Sequence, residues 1–281
     1  MDKVQNYSDG VKRHKSMRSC LRSVWLSGLG SLASSGQKPF LRCIFCHYVF
    51  DDQIALFERK IRYLKGLGSF VDTATCLDMI EGKRPIDGRY FHLSFDDGFK
   101  NIVKNAAPVL KKYDVPALFF VPTSFIDSSY AKVSDYCIRI AQYKNPIEMC
   151  SWDDLKSAMD MGITIGSHTR THARFSDISR DPVRLLDEVA GSKADVEQHL
   201  GIECATISWP YGKLSDADKV SVSATKTAGY RACFGAFRGT VRGGEGDRFM
   251  IPRHHFEAQW PVSHVRFFLT GHGESGRKLR Y

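Results

Sequence analysis

Two short segments carry side chains whose types and spacing suit one kind of chemistry. Ser94-Phe95-Asp96-Asp97-Gly98 offers adjacent carboxylates at the end of an apolar run. Gly166-Ser167-His168-Thr169-Arg170-Thr171-His172 offers two imidazoles at i and i+4. One carboxylate and two imidazoles can hold a divalent ion and leave coordination positions open. Such an ion lowers the pKa of bound water and polarises a carbonyl. Neighbouring side chains of an extended backbone point in opposite directions, so both carboxylates cannot face one ion. Asp97, His168 and His172 are read as ligands, and Asp96 as the base that takes a proton from the attacking water. On a helix, residues four apart share a face, which would present both imidazoles to one ion. Taken alone, Asp-Asp-Gly after a strand is a common turn, and most histidine pairs bind nothing. Their joint occurrence at the ends of strands is what gives them weight.

A third segment, Ser208-Trp209-Pro210-Tyr211-Gly212, has the punctuation of a turn that ends a strand. As a pocket wall it would offer backbone N–H groups to an oxyanion and aromatic rings to a sugar. Cys43-Ile44-Phe45-Cys46-His47 has the spacing of a haem-attachment site. It lies inside an apolar run and is read as a strand.

The elements that must position these groups alternate along the chain. Strands are expected at Leu41–His47, Tyr90–Phe95, Ala117–Val121, Ile163–Ile165, Cys204–Ser208 and near Arg231–Phe234. Helices are expected at Asp51–Leu67, Asn101–Lys112, Trp152–Met161, Asp181–Leu200 (capped by Gly201), Asp216–Ala228 and Pro261–Leu269. Strand then helix, repeated without a linker, predicts parallel strands joined by crossover helices, as a barrel or an open doubly wound sheet. Functional residues should then lie where strands end. Arg238–Gly246 reads as a loop.

The 281 residues carry a net charge of +9, with basic clusters at Lys12, Arg13, Lys15, Arg18 and Arg22 and at Arg277, Lys278 and Arg280. This favours an anionic partner such as a phosphate-bearing substrate or an acidic membrane surface; nothing interleaves aromatic and basic residues as nucleic-acid binding would require. Eight irregularly spaced cysteines argue for buried thiols in a reducing compartment. No apolar run is long enough to span a bilayer, and the segment around Val24–Gly30 makes a poor signal peptide. The expected organisation is a basic, helical extension over 1–38, a catalytic domain over 39–272 and a basic tail over 273–281. The expected location is cytoplasmic, including the inner face of the membrane.

The motifs resemble those of the polysaccharide deacetylases, the NodB-homology carbohydrate esterases. Ser94–Gly98 matches the (T/S)FDDG motif, His168–His172 the H(S/T)xxH motif, and Trp209–Gly212 part of the third motif. Around them, His47 with Phe57–Leu64, Gly229-Tyr230-Arg231 and Ile251-Pro252-Arg253 are similar to further family segments. The resemblance implies a distorted, incomplete (β/α) barrel and hydrolysis of an N-acetyl group from an amino sugar. It implies Asp96 as base, and Asp97, His168 and His172 as ligands of Zn2+, with Co2+ or Ni2+ as alternatives. The Tyr211 backbone N–H would bind the oxyanion, and His47, Trp209, Pro210, Tyr211 and Arg253 would contact the sugar. Many family members begin the third motif with an Arg that orients the catalytic Asp; here Ser208 stands there. The family's late acid motif is not evident, and His254 is the expected general acid, with His255 and His272 as alternatives. The expected substrate is a nucleotide- or lipid-linked precursor of a surface glycan. The competing readings are a catalytically silent glycan-binding protein and a related amide hydrolase, a deformylase or cyclic imide hydrolase.

Overall fold

Eight strands build one sheet in the computed structural model, which describes residues 4–11, 28, 39–241 and 246–269. They are β1 (Phe40–Cys46), β2 (Ser69–Phe70), β3 (Arg89–Phe95), β4 (Ala117–Val121), β5 (Ile163–Ser167), β6 (Thr206–Ser208), β7 (Ala232–Phe234) and β8 (Arg253–His255). Their order is β7-β6-β5-β4-β3-β1-β8, with β2 beside β3, and each named pairing is parallel. The two edges nearly meet. Phe234 bridges Ile251, just ahead of β8, and the Gly235 N–H donates to the Ile251 carbonyl at 2.9 Å. The Ile251 N–H also reaches the Cys233 carbonyl at 3.1 Å and the Arg253 N–H the Phe237 carbonyl at 3.0 Å, but no regular ladder forms, so the sheet is the expected (β/α) barrel with one unsealed seam.

Both faces of this sheet are covered, which is why β4 reads as an unbroken apolar run and β1 as one interrupted only by Arg42. Ile44, Phe91, Leu93 and Phe119 point outward and pack with Phe57, Ile61 and Leu64 from the helix Ile54–Lys65. Leu41, Cys43, Leu118, Phe120 and Phe234 point inward, where the helix Thr73–Ile80 closes the interior with Cys76, Leu77 and Ile80. That helix, β2 and β8 are absent from the sequence expectations: all three are short, and β8 is polar.

The expected helix Asp181–Leu200 is present in two pieces, Pro182–Leu186 and Ser192–Leu200, joined by a π-turn at Asp187–Gly191. Gly201 caps it in the left-handed region at φ 67°. Cys43 and Cys46 belong to different packed groups, one inside the barrel and one against the helices. Strand alternation separates them, and that removes any joint haem-binding role. Of the basic extension, Tyr7–Gly10 forms a single turn whose Tyr7 ring meets Tyr48 and Phe50. The basic clusters at both ends lie outside the described residues.

Candidate active site

Strand alternation sets up the site. Along β3, Ser94 faces into the barrel while Phe95 faces the helices, and Asp96 follows on the inner side. The chain then turns sharply: Asp97 has φ 74° and Gly98 φ 73°. Left-handed backbone is uncommon outside glycine. Here it also occurs at Thr169 (φ 64°), His172 (φ 61°) and Tyr211 (φ 63°), so three segments reach the rim through strained turns.

Asp97 Oδ1 lies 3.8 Å from His168 Nε2 and 3.5 Å from His172 Nε2. All three residues are buried. The three donor atoms lie within 4.8 Å of one another. They converge without making good hydrogen bonds to each other, the arrangement of ligands around a common centre. Two contacts fix their roles. The Tyr143 hydroxyl donates to Asp97 Oδ2 at 2.9 Å, leaving Oδ1 to the histidines. His168 Nδ1 donates to the Ser208 carbonyl at 2.8 Å, so its Nε2 keeps a lone pair directed at the centre. The donor set and this outer bonding fit a divalent ion such as Zn2+.

The histidine segment is not helical, contrary to the geometry that i and i+4 spacing suggests. A tight loop with two left-handed residues brings the rings together, at 4.9 Å between centroids. Glu188, in the π-turn, holds that loop. Its buried carboxylate accepts the backbone N–H groups of Arg170 (3.0 Å) and Thr171 (2.8 Å) and the Thr171 hydroxyl. Arg170 is itself pinned by Asp187 and Asp195 at 2.6–3.0 Å.

Asp96 is gripped by Arg253. Nη1 donates to Oδ1 at 2.7 Å and Nη2 to Oδ2 at 2.8 Å. Nη1 also reaches Ser94 Oγ, Nη2 reaches Ser208 Oγ at 2.6 Å, and Nε donates to the Gly235 carbonyl. Arg253 lines the cavity, but it is 1% exposed and every guanidinium nitrogen is committed, which leaves no spare donor for the sugar contact expected from the sequence. It supplies from β8 the guanidinium that the resemblance places where Ser208 stands, and the small Ser208 leaves room for it. Burial pushes the Asp96 carboxyl up, but Arg253 and the nearby His168 outweigh this and hold it below the ordinary carboxylate range. Asp97 is likewise held low against its burial, by His172 and His47. Burial lowers His168 to about 4, so the ring is neutral near pH 7.

The expected acid, His254, faces away. Its Nε2 meets the Gly239 carbonyl at 3.0 Å, and its side chain lines a separate small void with Ile44, Val265 and Phe268. On β8, Arg253 and His255 point to the cavity and His254 points out, which is simple alternation. Pro210 is buried and does not line the cavity. His47, Trp209 and Tyr211 do, beside Asp96, Asp97, His168, His172, His255 and Glu257, around a volume of about 700 Å³. Trp209 is fully buried, with its Nε1 donating to the Lys213 carbonyl. Tyr211 is 38% exposed, and the Arg174 guanidinium lies 3.8 Å above its ring.

The profile of the polysaccharide deacetylases matches residues 83–233, over half of the chain and across all three motifs. The chain belongs to the polysaccharide deacetylase family. This deacetylase-family chain is 25% identical over 204 residues to a poly-beta-1,6-N-acetyl-D-glucosamine N-deacetylase of Staphylococcus aureus (strain MRSA252), covering 70% of the chain and 64% of that protein. It is 24% identical over 177 residues to YxkH of Bacillus subtilis (strain 168), covering 62% of the chain and 55% of YxkH. The chain thus spans less than two thirds of either relative. In fold, this deacetylase-family barrel is similar to IcaB from Ammonifex degensii, with TM-score 0.68 and 23% identity over 84% of the chain and 99% of that structure.

Tyr143, Glu188 and the orienting role of Arg253 were missed by sequence reasoning. Tyr143 and Glu188 sit far from any motif, and no spacing rule ties them to one. Arg253 carried a signal: an Arg absent from the start of the third motif must be replaced from elsewhere if the base is to be held.

Proposed function

We propose that this chain is a metal-dependent N-deacetylase that hydrolyses the acetamide of an amino sugar. The observation that carries the reading is the convergence of Asp97, His168 and His172 beside an arginine-held Asp96, all facing one open cavity. A bound Zn2+, or Co2+ or Ni2+ in its place, would supply Lewis acidity and a water of lowered pKa at these ligands. Asp96, kept ionised and aimed by Arg253, takes one proton from the attacking water. The Tyr211 backbone N–H is assigned to the developing oxyanion. The water oxygen joins the acetyl carbon, the C–N bond breaks, and acetate and a free amine leave.

The amine must be protonated as it departs. His255 is a poor donor, since burial and the charge of His47 lower it to about 3. His47 lies half-buried at the cavity wall, 5.1 Å from the His255 ring, and we assign it the proton.

The named substrate of the staphylococcal relative supports an N-acetylglucosamine unit of a surface polysaccharide. The +9 charge favours a second reading, a phosphate-bearing precursor handled at the cytoplasmic face of the membrane. Acetate release from β-1,6-linked N-acetylglucosamine oligomers, UDP-N-acetylglucosamine and an undecaprenyl-linked N-acetyl sugar tests both. Release should stop on chelation, return with Zn2+ or Co2+, and be lost in Asp96→Asn. Binding without release in the wild type would establish the silent glycan-binding reading instead. Formate or a ring-opened imide as product would establish another amide hydrolase.

A further inference from the structure

Among the described residues, two groups bring three metal-ligating side chains within 4.8 Å of one another: the site above, and Cys43, Cys76 and His92. We infer that Cys43, Cys76 and His92 form a second site, which holds a structural zinc ion inside the barrel.

The three donors come from three elements. Cys43 and His92 are register partners on β1 and β3, and Cys76 projects from the helix Thr73–Ile80. All are within 1% of full burial. The Cys43 and Cys76 sulfurs are 3.8 Å apart. Two Zn–S bonds of about 2.3 Å at a tetrahedral angle place their sulfurs about 3.8 Å apart, whereas a disulfide needs about 2.05 Å. Thiolates with imidazole select zinc and other thiophilic ions over the hard cations. Two thiolates would also balance a divalent charge in an apolar interior.

His92 is held as ligating histidines are. Its Nε2 meets the Thr73 hydroxyl at 3.1 Å, its ring stacks on Phe234 at 5.6 Å, and its buried Nδ1 has no hydrogen-bond partner. Thr73 and Cys76 lie at i and i+3 on one helix, so the same turn orients the imidazole and supplies a sulfur. A disulfide would leave that nitrogen orphaned; an ion uses all three groups. The site would fasten the helix that closes the barrel interior to two of its central strands.

Cobalt loading of the purified full-length chain reads sulfur ligation directly, because thiolate-to-cobalt charge transfer absorbs in the near ultraviolet. Asp97, His168 and His172 contain no sulfur, so the first site cannot produce that band. The expected result is a band in the wild type that persists in His168→Ala and Cys46→Ser and is lost in Cys76→Ser. Zinc content should fall by about one equivalent per chain in Cys76→Ser. A wild type without the band overturns the proposal, whether or not any variant folds. Thiol titration in denaturant then distinguishes a Cys43–Cys76 disulfide, with two thiols missing from the eight cysteines, from two free thiols. Either finding removes the zinc site. Neither bears on acetate release, which depends on the other metal centre.

Discussion

Arg253 and Asp96, 157 residues apart in sequence, form a two-pronged ion pair at 2.7 and 2.8 Å inside the barrel. A planar guanidinium matches both carboxylate oxygens, and a lysine ammonium cannot. Arg253→Lys should therefore keep the charge and lose the aim. We expect kcat to fall about 10²-fold with KM within about threefold, because misplacing a catalytic group by about 1 Å costs that much. An unchanged kcat would remove the positioning role. Arg253→Met strands a buried carboxylate and should cost about 3–5 kcal/mol of stability, read from a denaturant midpoint.

The histidines separate by direction. His254 points into an apolar void, so His254→Gln should leave acetate release within about twofold of the wild type, the range of a distant change. His47→Gln should lower it by about 10²–10⁴-fold, the usual contribution of a positioned proton donor. The reverse pattern would return the acid role to His254.

Tyr143 donates to the Asp97 oxygen that faces away from the histidines. Tyr143→Phe removes that bond without removing a ligand. Outer hydrogen bonds of this kind are worth about 10–100-fold in metal affinity. Calorimetric titration of the apoprotein with Zn2+ should show a loss of that order, and an unaltered affinity would count against the ligand geometry.

Glu188 is the only described side chain seen to bind both loop amides between His168 and His172. Glu188→Ala leaves those amides without their acceptor, at about 1–3 kcal/mol each when they stay dry. The expected outcome is a lower melting temperature together with weaker metal binding. Lower stability with unaltered metal binding would show that the loop holds its shape unaided.

The metal-free chain should weaken in acid. His168 has a folded pKa of about 4 against an ordinary 6.5. Between those values the unfolded chain binds the extra proton, so stability rises with pH across this window and is lost as pH falls through it. The shift corresponds to about 3 kcal/mol. His255, lowered to about 3, acts in the same sense. Glu257, raised by its burial, opposes them above the ordinary carboxylate range. Denaturant midpoints from pH 7 to 4.5 should fall steadily in the wild type and less steeply in His168→Gln. A flat profile would rule out neutral, buried histidines.

The barrel and the convergence of its motifs could be read from sequence because each rests on a local pattern. Ala117–Val121 is an apolar run stopped by Pro122, and Asp96-Asp97-Gly98 follows a strand in which Phe91, Leu93 and Phe95 alternate with His92 and Ser94. What escaped was set by tertiary context. His168 and His172 meet through left-handed turns, which spacing alone does not reveal. β8 is a three-residue strand of Arg and His, and its polarity hid it. Without that strand, alternation has no register to act on, and the sequence alone does not show that His254 points away from the cavity that Arg253 and His255 face.

The partner of Asp96 arrives on the last strand of the barrel. Asp96 is synthesised 157 residues before the guanidinium that holds it. Until Arg253 follows, Asp96 has no counter-charge and the seam between β7 and β8 has no second edge. Closing the sheet and pairing Asp96 are thus one event, and any truncation ahead of residue 253 would forfeit both.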